Sequence, residues 1–228
     1  MQIELLPGTE KLEQTAVRPY RPHDREAVLQ IGADTAFFGA PIETYLDDRR
    51  IFMDGFYAYY TDYEPQHAWT AVCGGRVVGF LTGCTDTRAY QRVLLNIMVP
   101  RMLARLVRLH YRVGRKTLVY FMRLAQSRLQ PGSPTADLER YPAHLHINLL
   151  PEARGRGLGE RLMQSYLQQL AGLGVGGVHL HTTSYNRAAC RLYERLGFEL
   201  AAARRTRMWH DRVAEAVDER VYTRRVPL

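Results

Sequence analysis

One stretch of the sequence decides the fold, residues 141–159, which read YPAHLHINLLPEARGRGLG. The apolar run from Ala143 to Leu150 predicts a β-strand. A glycine-rich turn follows at 155–159, and an amphipathic helix follows the turn. One face of that helix carries Leu158, Leu162, Tyr166 and Leu170. Strand, glycine turn and helix in this order predict an α/β domain.

The turn has the chemistry of a phosphate site. Glycines at the start of a helix let backbone N–H groups approach an anion, and the helix dipole favours negative charge there. Arg154 and Arg156 add positive charge. A Gly-Lys-Ser/Thr ending is missing, and Gly155, Gly157 and Gly159 do not have the GxGxxG spacing of a dinucleotide fold. On the turn alone, a tight structural turn stays the alternative.

A second stretch lies about thirty residues further on, at 186–198, and reads NRAACRLYERLGF. Arg154-x-x-Gly157-x-Gly159 resembles the [Arg/Gln]-x-x-Gly-x-[Gly/Ala] signature of the GNAT superfamily of acetyltransferases. Residues 186–198 resemble the Asn-x-x-Ala-x-x-Leu-Tyr-x-x-x-Gly-Phe hallmark of the same superfamily. The resemblance is close over 141–200 and loose over 15–84. Residues 141–146 also resemble the acetyltransferase-like domain attached to some O-GlcNAc hydrolases.

The resemblance implies a mixed, centrally splayed β-sheet flanked by helices, with acetyl-CoA as cosubstrate. It implies that the turn binds the CoA pyrophosphate and that the pantetheine arm lies along the preceding strand. The residues expected to bind the cofactor are Ile147, Asn148, Leu149, Arg154, Gly155, Arg156, Gly157, Leu158, Gly159 and Asn186. Asn186 is also a favoured type for a helix N-cap, and the two roles are compatible.

The resemblance assigns Tyr193 as the general acid that protonates the departing CoA thiolate; core packing is the alternative. For the general base the candidates are His146 and His144, which lie two apart and hence on one face of the strand. A water relay, or no dedicated base, is the third possibility. The glutamate that often serves as base in the superfamily falls on Ala143 here. A bulge is common in this strand and would change the face, so the register stays open.

We expect a single domain over residues 1–228, with an N-terminal half at 15–84, a helical insertion at 85–140 and an acetyl-CoA-binding half at 141–228. Strands are predicted at 15–18, 67–73, 76–84, 178–181, 198–203 and 220–226, with a hairpin turn at Gly74-Gly75. Helices are predicted from 21, at 42–60, at 118–129 and at 186–196, with Gly197 as a C-cap. Candidates for an acceptor-side wall, for which aromatic core is the favoured role, are Tyr57, Tyr59, Tyr60, Tyr63 and Trp69.

The insertion is basic. From Arg88 to Arg128 the chain has ten Lys or Arg residues and no Asp or Glu. Arginines at 101, 105, 108, 112 and 115 have helical spacing and predict a basic stripe. The stripe is interpreted as a solvated face, as a wall of the acceptor site, or as a contact for nucleic acid or an acidic membrane surface. The stripe carries no interleaved aromatics for base stacking, which argues against nucleic acid.

The composition sets further limits. The net charge of +8 favours anionic partners. Three cysteines without paired spacing suggest neither disulfides nor zinc, and no metal is expected. The start of the chain carries Glu4 and Glu10 and no basic-then-apolar leader, and no long apolar run occurs, so we expect a cytoplasmic protein without a membrane span.

The sequence therefore predicts an acetyl-CoA-dependent N-acetyltransferase. Its acceptor is expected to be a small-molecule or peptide amine. Two alternatives stay open, a catalytically silent CoA-binding protein and a basic nucleic-acid-binding module. The oligomeric state is not predicted.

Overall fold

The structure is a computed structural model and describes residues 15–129 and 132–227, without the side chain of Arg128. Glu4 and Glu10, on which the expectation about the start of the chain rests, lie outside the described residues. Pro131 of the predicted loop after the second insertion helix lies outside them as well.

Seven strands form one mixed sheet in the order β1-β2-β3-β4-β5-β7-β6. Their bounds are β1 Thr15–Pro19, β2 Ala68–Cys73, β3 Arg76–Cys84, β4 Ala143–Leu149, β5 Gly177–Thr183, β6 Glu199–Thr206 and β7 Val217–Arg225. Neighbouring strands are antiparallel except for β4 and β5, which are parallel. The predicted strands and the hairpin at Gly74-Gly75 are confirmed, with ends shifted by a few residues.

The sheet splays at its centre. Strands β4 and β5 are paired only through Ala143↔Val178 and His144↔His179. Beyond His144 the two strands diverge, so the edge of β4 from 145 to 149 has no partner in β5. This opening confirms the centrally splayed α/β sheet that the resemblance implied.

Helices cover both faces of the sheet. Their bounds are α1 Arg25–Asp34, α2 Arg49–Phe52, α3 Ala58–Asp62, α4 Thr87–Val93, α5 Val99–Val107, α6 Arg115–Leu129, α7 Leu158–Gly172 and α8 Arg187–Arg195. A π-turn at Met53–Tyr57 joins α2 to α3, and another at Leu94–Met98 joins α4 to α5. Short 3₁₀ turns lie at Pro22–Asp24, Ile42–Thr44, Pro65–His67 and Pro151–Ala153.

The helix predicted at 42–60 is broken near its start. A 3₁₀ turn and a loop precede α2, which begins only at Arg49. The Asp48 carboxylate caps α2 by accepting the Arg50 N–H at 3.0 Å, and Asp is a strong N-cap that starts a new helix. The helix predicted at 118–129 begins earlier, at Arg115.

Each face of the sheet has its own core. On one face α7 buries Leu158, Leu162, Tyr166 and Leu170, which confirms the predicted apolar stripe. On the other face α1 and the helix at 49–62 pack aromatic side chains against β3. This second core contains Tyr57, Tyr59, Tyr60 and Phe80, all of them buried.

The insertion between β3 and β4 consists of α4, α5 and α6 and rests on the helix at 49–62. Asp54 accepts hydrogen bonds from the Tyr111 hydroxyl at 2.6 Å and from Arg105. Asp47 accepts the N–H groups of Gly114 at 2.8 Å and Thr117 at 3.0 Å. Within the described part of the chain, no helix is long and apolar enough to cross a membrane.

Candidate active site

A cavity of about 450 Å³ opens where β4 and β5 diverge. The glycine turn forms one end, β4 and the start of α8 form two walls, and the loop after α1 closes a third side. The lining residues used below are Phe38, Ile147, Asn148, Leu149, Gly155, Gly157, Asn186 and Tyr193. Both stretches singled out in the sequence therefore meet at one cavity, although Gly159 and Asn186 are 27 positions apart.

The turn presents backbone to this cavity. Gly155 has φ +74° and Gly157 has φ +73°, a left-handed conformation that favours glycine. Neither glycine has any atom within 4 Å of the place where a Cβ would stand. Gly157 is the N-cap of α7, so the first N–H groups of that helix are directed at the open space. The turn therefore has the geometry of an anion cradle.

The two arginines of the turn differ in where their side chains lie. Arg154 lines the cavity, donates to the Leu149 carbonyl at 3.2 Å and packs over Gly39. The guanidinium of Arg156 lies against Cys73 of β2, 3.7 Å from its sulfur. Arg156 is not among the residues that line the cavity. Its side chain is therefore not brought to the predicted pyrophosphate position.

Leu158 and Gly159 hold the turn in place. Leu158 is buried in the core below α7, so only its backbone is available to a ligand. A Cβ on Gly159 would lie 3.3 Å from Leu192 and 3.5 Å from Leu149. Glycine thus lets α7 pack closely against α8 and β4 beside the cavity.

Strand β4 contributes its edge to the cavity through Ile147, Asn148 and Leu149. The Asn148 side chain accepts the Tyr57 hydroxyl at 2.7 Å and donates to the Thr35 hydroxyl at 2.7 Å. This side chain is already occupied, so β4 offers mainly its unpaired backbone. An extended ligand can pair with such an edge as an added strand would.

Tyr193 lies on α8 and faces the cavity. Its ring packs 6.1 Å from Phe198 and 5.8 Å from Tyr222. Burial raises the pKa of the phenol above its usual value, so Tyr193 stays protonated at neutral pH. No described residue accepts its proton. Asn186 occupies the N-cap position of α8 without a side-chain capping bond, so its amide is available to a ligand.

The two histidines of β4 are joined through Tyr60. The Tyr60 oxygen lies 2.6 Å from His144 Nε2 and 3.0 Å from His146 Nε2. On its other side, His144 Nδ1 lies 2.8 Å from the Thr87 hydroxyl. The pairing of β3 with β4 runs without a bulge from Gly79↔Leu149 to Cys84↔His144. Both histidines therefore share one face, and Ala143 lies buried on the other.

The hydrogen-bond pattern is consistent with one direction of this chain, in which Nδ1 of His144 carries a proton and faces both the Thr87 hydroxyl and the Cys84 sulfur, 3.1 Å away. Thr87 has one hydroxyl proton and donates it to the Pro142 carbonyl at 2.7 Å. Its oxygen therefore accepts from His144 Nδ1–H, and His144 Nε2 carries a lone pair that accepts the Tyr60 proton. The Tyr60 oxygen in turn accepts His146 Nε2–H. Nδ1 of His146 is left with a free lone pair.

Burial lowers the pKa of His144 well below its usual value, and it lowers the pKa of His146 to about 3. The neighbouring His179 and His181 lower both further. Both rings are therefore neutral at pH 7, as the hydrogen-bond chain requires. His144 has both ring nitrogens engaged inside the protein, whereas Nδ1 of His146 is not used in this chain. Neither histidine is among the residues that line the cavity, which β4 reaches only from Ile147 onward.

Several contacts of the site had no signal in the sequence. Thr35, Phe38 and Gly39 line the cavity from the loop after α1, far from either motif. Phe38 has φ +47°, uncommon for a non-glycine residue. Tyr60 and Thr87 reach β4 across 86 and 57 residues. Tyr60 is a candidate for the acceptor-side wall on the sequence, but no sequence pattern connects it to the histidines of β4.

Known proteins resemble this fold and these motifs. A sequence profile of the acetyltransferase (GNAT) family matches residues 128–198. The crystal structure of SsHAT is 33% identical, with 94% of this chain and 99% of that chain covered at a TM-score of 0.70. The structure of yncA from Salmonella typhimurium with acetyl-CoA is 15% identical, with 94% and 95% covered at a TM-score of 0.57. That second likeness concerns the fold alone.

A shorter match joins the chain to mycothiol acetyltransferases. The one from Mycobacteroides abscessus is 55% identical over 55 residues, which is 24% of this chain and 19% of that protein. The chain thus spans about a fifth of the length of that relative. The fold and the sequence matches are those of a family of acyltransferases. The chain belongs to the acetyltransferase (GNAT) family.

Proposed function

We propose that this protein is an acetyl-CoA-dependent N-acetyltransferase that transfers the acetyl group directly to an amine. The observation that carries the proposal is the cavity itself. Its wall joins the open backbone of the glycine turn, the unpaired edge of β4 and the buried phenol of Tyr193.

The cavity has the chemistry that acetyl-CoA requires. The N–H groups at the start of α7 and the side chain of Arg154 suit a pyrophosphate. The edge of β4 at 147–149 suits the amides of the pantetheine arm, and the Asn186 amide is available beside it. For Arg156 and Leu158, only the backbone is proposed to contribute.

Bound acetyl-CoA supplies a thioester whose acetyl carbon forms a bond to the acceptor nitrogen as the C–S bond breaks. Tyr193 gives its proton to the departing thiolate, and its raised pKa keeps that proton in place until then. A backbone N–H near Leu149 polarises the carbonyl oxygen. The proton lost by the amine passes to His146 Nδ1 or to water.

The structure favours His146 over His144 as the direct acceptor of that proton. His144 acts through Tyr60, since neither of its ring nitrogens is free. With a pKa of about 3, His146 is a weak base. A water between its Nδ1 and the acceptor would let the proton reach it from an amine that does not contact the ring. The water relay and the two histidines are therefore one proposed path.

The same low pKa favours a second candidate, a CoA-binding protein that has lost transfer activity. This protein would bind acetyl-CoA and show no turnover with any amine. Tyr193→Phe would then change neither the binding of acetyl-CoA nor any rate. The basic nucleic-acid-binding module receives no support from the cavity.

For the acceptor we propose an amine on a small molecule, with a peptide amine as the alternative. Curated relatives named mycothiol acetyltransferase match about a quarter of this chain, which is what supports a small-molecule acceptor. A cytoplasmic location is proposed with it. The relation to the domain attached to O-GlcNAc hydrolases stays a prediction from residues 141–146.

The test is thermal unfolding and calorimetry with acetyl-CoA and with CoA. A ligand at 100 times its Kd stabilises the folded state by about 2.7 kcal/mol, which raises the Tm of a chain of this size by about 5–10 °C. Gly157→Glu places a carboxylate at the proposed pyrophosphate position and should abolish this rise. Gly174→Glu is the matched control. Gly174 also has positive φ (+70°) and open space, but lies at the end of α7 away from the cavity.

Binding that Gly157→Glu abolishes and Gly174→Glu preserves supports the cofactor site. Release of CoA thiol is then measured against a panel of amines. If the wild-type protein binds neither acetyl-CoA nor CoA, the proposed function is wrong. If it binds both and releases no thiol with any amine, the silent CoA-binding protein is the better reading.

A further inference from the structure

Large exposed apolar side chains concentrate on the insertion. Outside it, the described residues of this kind are only Leu173, Tyr185 and Leu200. Those within it are Leu95, Val99, Leu103, Leu106, Val107, Leu109, Val113, Leu118, Phe121, Met122 and Leu129. Scattered exposed leucines are ordinary, but a contiguous apolar patch marks an interaction site.

Helix α5 turns its apolar side outward. Leu103 is 55% exposed and Val107 is 81% exposed. The side toward the protein carries the arginines of the predicted stripe: Arg101 donates to the Tyr63 hydroxyl at 2.5 Å and Arg105 pairs with Asp54. Two of the five arginines of the predicted stripe thus attach the helix, and its apolar side is left exposed to solvent.

Helix α6 repeats this arrangement. Leu118 and Met122 are more than half exposed and Leu129 is 84% exposed, whereas Thr117 and Ser127 are buried against the protein. The connection between the helices carries Leu109, which is 88% exposed. The exposed apolar side chains of 95–129 are called here the insertion face.

Positive charge borders the insertion face. Among the described residues, the guanidinium groups of Arg108, Arg112 and Arg115 form no ion pair, and all three residues are exposed. No Asp or Glu occurs from Arg88 to Arg128, so the charge of this segment is uncompensated in sequence. An apolar surface rimmed by cations is complementary to an anionic, apolar partner.

We propose that the insertion face docks on the surface of an anionic lipid bilayer. Aliphatic side chains enter the headgroup and acyl boundary, while the arginines meet lipid phosphates. A second copy of this chain fits poorly, because two insertion faces would bring their unpaired arginines together. Nucleic acid fits poorly as well, because leucine and valine offer no stacking surface.

The experiment is co-sedimentation with vesicles of phosphatidylcholine and phosphatidylglycerol in equal amounts, against vesicles of phosphatidylcholine alone. The variant Leu103→Gln/Leu106→Gln removes apolar side chains at constant charge and should weaken binding by about tenfold or more. Leu173→Gln/Leu200→Gln is the matched control at two exposed leucines elsewhere and should bind as the wild type. Arg108→Glu/Arg115→Glu should weaken vesicle binding, and the binding that is left should depend less on the salt concentration.

Acetyl-CoA thermal shift on each variant shows that it is folded, so loss of vesicle binding is separable from loss of structure and from the proposed activity. The proposal is overturned if the wild type ignores the anionic vesicles, or if both leucine pairs have the same effect. It is also overturned if sedimentation velocity shows a dimer that Leu103→Gln/Leu106→Gln dissociates. A last outcome would favour nucleic acid as the partner of the arginines. In it the wild type binds duplex DNA and no vesicles, Arg108→Glu/Arg115→Glu loses the DNA binding, and Leu103→Gln/Leu106→Gln keeps it.

Discussion

Removal of a single hydroxyl, in Tyr60→Phe, tests the hydrogen-bond chain of β4. The substitution keeps the ring, which packs against Tyr90 at 5.8 Å and His146 at 5.4 Å. It removes the oxygen that accepts from His146 and the proton that is donated to His144. A change in stability therefore reports on these hydrogen bonds rather than on packing.

The magnitude follows from burial. His144 is only 6% exposed, so its Nε2 cannot replace the lost donor with water. A buried polar group left without its partner costs about 1–3 kcal/mol. His146 is less completely buried than His144, so the loss of its own hydrogen bond is expected to add less. We expect a loss of about 2 kcal/mol, which lowers the Tm of a chain of this size by about 4–8 °C.

Activity should change in a pattern that a purely structural role does not give. Tyr60 is a positioning residue, because it fixes the proton of His146 on Nε2 and leaves Nδ1 free. We expect Tyr60→Phe to lower kcat by about tenfold, since a general base contributes about 10²–10⁴ and here it is only misoriented. The KM for acetyl-CoA should stay unchanged, because Tyr60 does not line the cavity.

Tyr45→Phe is the control. The Tyr45 hydroxyl is buried and has no hydrogen-bond partner among the described residues, so its removal should be neutral or stabilising. Urea unfolding of both variants at pH 7, with steady-state kinetics on each, makes the comparison. If Tyr60→Phe is as neutral as Tyr45→Phe, the chain through Tyr60 does not form and the assignment of His146 is wrong.

Three further predictions follow from the site and its frame. Tyr193→Phe should lower kcat by about 10²–10⁴-fold and leave the affinity for acetyl-CoA, measured by calorimetry, unchanged. If kcat and the affinity fall together, the phenol is a binding group and not the general acid. Because the pKa values of His144 and His146 are lowered in the folded protein, the unfolded chain takes up more protons below about pH 6.5. The free energy of unfolding should therefore be constant above that pH and fall below it by up to about 1.4 kcal/mol per pH unit for each ring. Urea titrations at pH 7 and pH 5 check this, and His146→Gln should show a shallower fall. In Gly79→Ala the new Cβ would stand 2.2 Å from Leu149 and 2.9 Å from a backbone oxygen, which should cost about 1–3 kcal/mol, whereas Gly172→Ala in open space should cost nothing in the same unfolding assay.

Local patterns predicted the elements of this fold well. The strand, turn and helix at 141–172 came from alternation, glycine spacing and a helical stripe, all of which are properties of neighbouring residues. The broken helix near Asp48 shows the limit of such patterns. There the N-cap carboxylate competes with the apolar spacing and starts a new helix.

Contacts across the chain were not predictable in the same way. Nothing in the sequence connects Tyr60 with His144, since only the tertiary fold brings β4 under the helix at 49–62. The insertion gives a second case. Helical spacing groups Arg101 with Arg105 and Leu103 with Leu106, but it cannot tell which side meets the protein, and here the arginines do.

The register of β4 explains how one strand can serve the core, the proposed proton path and the cofactor cavity at once. Ala143 and Leu145 point into the core below α7, whereas His144, His146 and Asn148 point to the helix at 49–62. The unpaired backbone edge lies between these two faces. A slip by one residue would bury three polar side chains of β4 in the α7 core. The Tyr60 hydroxyl would then face an aliphatic side chain in place of the histidines. The continuous pairing with β3 opposes that slip, so the absence of a bulge in β4 is what keeps His144 and His146 together on the face that Tyr60 reaches.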